Sequence, residues 1–166
     1  MLSVMDAMAE RVSAGERIGD DDLTQVIEFL RVFVDRCHHA KEEELLFPAM
    51  TSAGLTEDDV PFQRLLTEHE SGRRAVIRLE TAGDITGRDA GSASTGLAAA
   101  IVEYATLLRA HIVLEEAACF DVADSKLSRQ VQEDLAEGYD RIERERIGEG
   151  RHEGFHALLD RLEQTW

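Results

Sequence analysis

Apolar residues along this chain recur three and four positions apart, the spacing of one helix face, and clusters of Gly, Ser and Asp fall between the periodic stretches. Leu2, Met5, Ala9 and Val12 form the first such face, from the start to about Ala14, and Gly15 supplies its stop. A second helix is expected after the acidic run Asp20, Asp21 and Asp22, because carboxylates at a helix N-terminus accept orphan amide protons and oppose the dipole. It ends near Gly54, with Pro48 expected to kink its last turns or end the regular helix early. A third is predicted from Pro61 to about Ala82, followed by a surface loop, GDITGRDAGSAS. A fourth runs from about Thr95 to Asp124. After the polar break SKLS come one or two C-terminal helices, divided by Gly148 and Gly150. No strand alternation interrupts the pattern, so the fold class is all-α.

Three of these helices carry polar side chains inside their apolar stripes. Leu30, Val34, His38, Glu42 and Leu46 step by four along the second. Leu97, Ile101, Tyr104, Leu108, His111, Glu115 and Val122 make the stripe of the fourth, and Phe62, Leu65, Leu66, His69 and Val76 that of the third. Burying carboxylates and imidazoles uncompensated costs several kcal/mol per charge, roughly a large part of a domain's whole stability. Two facing His-x-x-x-Glu pairs can instead hold one or two metal ions, as the interior sites of helical bundles do. Mixed imidazole and carboxylate ligation suits iron or manganese, and zinc less specifically.

The adjacent pair His38 and His39 leaves the register to be chosen, since each has a glutamate four residues on. The face of His39 and Glu43 runs back through Asp35 and Glu28, a solvent pattern, so His38 and Glu42 are taken as the inward pair. An internal match agrees: CHHAKEEELLF from Cys37 aligns without gaps on AHIVLEEAACF from Ala110, pairing His38 with His111 and Glu42 with Glu115.

Composition narrows the partners. The 166 residues hold 34 acidic against 18 basic side chains, a net charge of −16 with histidine neutral, so phosphate backbones and anionic lipid are repelled while cations are attracted. Neither nucleic acid nor membrane is an expected partner, and no stretch is read as a membrane span. Two cysteines, Cys37 and Cys119, are too few for a disulfide framework; they fit a reducing, cytoplasmic compartment and read as small core hydrophobes.

At HHAKEEELLFP the sequence resembles the hemerythrin-like, HHE cation-binding family, with LLTEHESGR similar to its third helix and YATLLRAHIVLEEAACF to its fourth. The resemblance implies an up-down four-helix bundle over residues 1–126, with a C-terminal helical extension, 127–166, that packs on the bundle or on a second subunit. It further implies a non-haem iron centre, two ions bridged by Glu42 and Glu115 with His38, His69 and His111 as terminal ligands, that meets oxygen, nitric oxide or peroxide. Two departures stand out. The family places a histidine on its first helix, whereas none precedes His38 here, and the matching segment LSVMDAMAERV implies a start a few residues late. Where oxygen carriers have a histidine four residues after the third-helix ligand, this chain has Arg73.

Around these ligands, Tyr104 is read first as core packing and second as a phenol near the metal. Arg73 either pairs with a ligand carboxylate or reaches solvent, and Glu70 is read as surface. The His-x-x-x-His spacing of His152 and His156 is read as exposed helix histidines, with metal binding as the alternative, while Phe155, Leu158, Leu159 and Leu162 form the packing face of a final helix. Three functions remain open: a binding or sensing protein, a peroxide- or oxygen-consuming enzyme, and a bundle whose site has decayed.

Overall fold

A computed structural model describes residues 1–88 and 93–166, and these are 85% helical with no strand. Six helices follow one another: α1 (Leu2–Ser13), α2 (residues 20–52), α3 (Phe62–Arg88), α4 (residues 93–126), α5 (Arg129–Arg146) and α6 (Arg151–Thr165).

Three departures from regular α-helix shape the long elements. Within α2 the segments Phe29–His39 and Glu42–Leu46 are π-helical, and α4 is π-helical over Glu116–Phe120. An i→i+5 turn is wider than an α-turn, and such bulges concentrate at functional sites. Pro48 therefore does not end α2 early. It sits in the first turn of the α-helical segment Phe47–Ser52, where a missing N–H costs little, directly after a π-turn. The loop predicted from Gly83 is likewise helical as far as Arg88; its residues 89–92 lie outside the described part. Gly83 is a packing notch: a Cβ there would lie 2.7 Å from Leu23 Cδ2 of α2.

Apolar packing separates into two clusters. One joins Val4–Val12 of α1 to Leu30 and Val34 of α2, Ala75–Leu79 of α3, Leu97–Ala105 of α4, and Phe155 and Leu162 of α6. The other joins Leu46–Met50 of α2 to Phe62 and Leu65 of α3 and Cys119 and Ala123 of α4. α2 runs from the first cluster to the second, α3 returns, and α4 runs forward again, the up-down order of a bundle. Between the clusters lies a layer of buried polar residues: His39, Glu42, His69, His111 and Glu115.

The C-terminal helices fold back onto this chain. On α5, Lys41 Nζ lies 2.9 Å from Glu143 and Arg146 lies 2.8 Å from Glu44, and Gly138 lets the helix close on Leu45, whose Cδ1 would stand 2.8 Å from an added Cβ. On α6, Phe155 packs edge-on against Phe29 at 5.6 Å between centroids, and Leu162 is fully buried. One sequence reading changes here: residues 95–126 of α4 include a window of mean hydropathy 1.6, long and apolar enough to cross a membrane by length and composition. The same helix carries His111 and Glu115 inward and packs against α1 and α3, the position of a bundle's core helix.

Candidate metal centre

The polar layer forms two adjoining clusters. Ligand atoms of His39, His69 and His111 lie within 4.8 Å of one another, and so do those of His38, Glu42 and Glu115. The carboxylates link them: Glu42 has Oε1 at 3.5 Å from His38 Nε2 and Oε2 at 3.3 Å from His69 Nε2. Glu115 does the same with His38 Nε2 at 3.7 Å and His111 Nε2 at 3.6 Å.

His39 corrects the sequence reading. Its face is not solvent-exposed: His39 is 5% exposed, its ring stacked on that of His69 at 3.9 Å between centroids. The predicted register assumed a 100° step per residue, whereas the π-turns of Phe29–His39 advance less per residue and leave His38 and His39 facing one interior. His38 holds the outer position, with its side chain 44% exposed.

Each of the three inner imidazoles spends its Nδ1 on a carboxylate. His39 donates to Asp35 at 3.3 Å, His69 to Glu43 at 2.6 Å and His111 to Glu68 at 3.1 Å. An ionised carboxylate only accepts, so the proton sits on Nδ1 and each Nε2 presents a lone pair. Those three Nε2 atoms, with both oxygens of Glu42 and Oε1 of Glu115, are buried without a hydrogen-bond partner. Buried polar atoms are rarely left so, and a cluster of unpaired lone pairs converging from three helices is the donor set a cation requires.

Arg73 fixes this outer ring. Its Nε donates to Asp35 at 2.7 Å and a terminal nitrogen donates to Glu43 at 2.8 Å, so it orients two of the three orienting carboxylates. Glu70 is an exposed residue beside Arg73 and Arg74. Tyr104 is buried and lines a cavity of about 300 Å³ that reaches His39 past Gly72 and Arg73. Cys119 is buried with Sγ 3.9 Å from Met50 Sδ, and burial together with Glu42 and Glu115 pushes its thiol up to about 12. It stays protonated and inert at neutral pH.

Charge in the site follows from crowding. Burial, joined by the facing Glu115, raises the pKa of Glu42; in Glu115 the upward push of burial is outweighed by the neighbouring His38, Glu42 and His111, and its pKa is lowered. Two buried carboxylates so close push each other's ionisation apart, Glu42 upward and Glu115 downward. Burial lowers His39 to about 4, so it is neutral and ready to ligate. In His38 burial is outweighed by Glu115 and Glu42, which raise its pKa.

A family model for the hemerythrin HHE cation-binding domain matches residues 1–123. The chain belongs to that family. Hemerythrin membership implies that the domain binds metal cations, and the unpaired lone pairs in the polar layer are where these residues fit one. Relatives include an uncharacterized protein of Mycobacterium tuberculosis strain H37Rv and one of Mycobacterium bovis, each 25% identical over 152 residues, 92% of this chain. The chain spans 58% of the length of either. No solved structure matches it.

Sequence reasoning ranked His39 behind His38, as a secondary candidate on the neighbouring face, and it missed the carboxylates Asp35, Glu43 and Glu68. Asp35 stands one turn before His39 and was readable from that spacing. Glu68 serves a histidine on another helix, which no spacing along α3 shows.

Proposed function

We propose that this hemerythrin-family chain holds two non-haem iron ions and binds or senses oxygen, nitric oxide or peroxide. The observation that carries the reading is the set of six buried, unpaired ligand atoms on His39, His69, His111, Glu42 and Glu115. His39, His69 and His111 would serve one ion and His38 the other, with Glu42 and Glu115 shared between them. Imidazole with carboxylate favours iron, which when bound supplies reversible redox chemistry toward small diatomic or peroxide ligands. Manganese or zinc is the lesser fit.

The chain's own residues prepare this site in three ways. Asp35, Glu43 and Glu68 lock three imidazole tautomers before any ion arrives. The shared carboxylates bring negative charge that the ions offset, which resolves the cost of burying them. The cavity of about 300 Å³ beside Tyr104 and Arg73 has the volume to admit a diatomic molecule or peroxide next to His39.

A second reading, a peroxide- or oxygen-consuming enzyme, is favoured by the outer cluster, where one half-exposed imidazole and two carboxylates leave positions open to exchangeable ligands. The test is anaerobic reconstitution with ferrous iron, followed by visible absorption before and after nitric oxide, air or peroxide. Two irons per chain with a stable adduct spectrum are expected. Steady peroxide consumption transfers the case to the enzyme, and folded protein that keeps no iron overturns both readings.

A further inference from the structure

We propose that His152 and His156 on α6 form a second metal site, separate from the bundle's polar layer, suited to copper(II) or nickel(II). The two residues stand one turn apart, and their Nε2 atoms face each other at 2.9 Å with ring centroids 4.8 Å apart. Two nitrogens bound about 2.0–2.1 Å from one ion at right angles lie about 2.9 Å apart, whereas a tetrahedral ion would hold them at roughly 3.3 Å. The observed separation is that of adjacent corners of a square-planar or tetragonal site. In the absence of an ion, an N–H of His156 Nε2 donating to His152 Nε2 satisfies the same distance, and moving that proton to His156 Nδ1 frees both Nε2 lone pairs for a cation.

The surroundings are those of a prepared ligand pair. His152 Nδ1 donates to Glu143 Oε1 at 2.9 Å, which places the lone pair on Nε2. Glu143 is itself held from the other side by Lys41 Nζ at 2.9 Å. Phe33 packs edge-on against both rings, at 5.3 Å from His152 and 6.3 Å from His156. Side chains from α2 and α5 thus fix the pair, while His156 is exposed and His152 about one-third exposed, so the remaining corners of the ion face water. Copper(II) heads the affinity order for such nitrogen ligands, with nickel(II) below it.

The experiment is copper(II) titration of the full chain with the bundle's polar layer already loaded with metal, followed by electron paramagnetic resonance and equilibrium dialysis. The wild type is compared with His152→Ala, His156→Ala and His156→Gln, whose folding is checked by circular dichroism. One copper per chain with coupling to two nitrogens is expected. Both alanine variants should lose that signal while retaining the bundle's metal, and Glu143→Gln should weaken binding by about 10–100-fold. His156→Gln, at an exposed position, keeps the test open should an alanine variant fail to fold. An unchanged copper signal and stoichiometry in folded His156→Gln overturns the proposal.

Discussion

An imidazole ring has two nitrogens, and in the polar layer His39, His69 and His111 each give Nδ1 to a carboxylate and leave Nε2 bare. His39→Ala should therefore cost metal as severely as His69→Ala or His111→Ala, losing one ion per chain in metal analysis; a fully loaded His39→Ala would contradict the assignment. Glu43→Ala leaves His69 unanchored and should weaken metal binding by about 10–100-fold, measured by competition with a chelator. On the face predicted from sequence, Glu43 would have been silent. Five residues of the candidate site, His38, Glu42, His69, His111 and Glu115, were legible because they interrupt apolar stripes, and the fold brings them together. His39 ranked second, because ideal helical spacing turns that residue outward and the π-turns bring it in. Arg73, left between two readings, proves to tie Asp35 to Glu43.

Helix boundaries were readable where caps and breaks are local, and not where they depend on a partner. α1 and the α5–α6 division lie where periodicity and glycine put them. Gly83 looked like a loop residue, yet it continues α3 because Leu23 of α2 occupies the space a side chain would need. Pro48 looked like a helix stop, yet the π-turn before it absorbs the interruption. The C-terminal face of Phe155 and Leu162 was recognisable, but its partner was not. It is the cluster shared by α1 and α2 of the same chain. Leu162→Ala, at a fully buried position, should lower unfolding free energy by about 2–5 kcal/mol in denaturant titration, whereas a free or dimer-facing tail would lose under about 0.5 kcal/mol as a monomer.

For the molecule as a whole, two apolar clusters clamp a charged layer, so folding and cation binding are coupled. The raised pKa values of Glu42 and His38 mean that a cation entering near pH 7 displaces protons, while His39, lowered to about 4, is already neutral there. Metal uptake should release protons into weakly buffered solution, and apparent affinity should rise with pH; proton-neutral uptake would contradict this charge arrangement. Loading should also raise Tm, because the ion binds the folded layer and not the open chain. The most direct test of the centre is the number of ions held per chain after reconstitution and dialysis, in the wild type beside Glu42→Ala and Glu115→Ala. Two ions in the wild type, and loss of metal in both variants, are predicted. Equal metal content in all three would show that the polar layer is not where the cations bind.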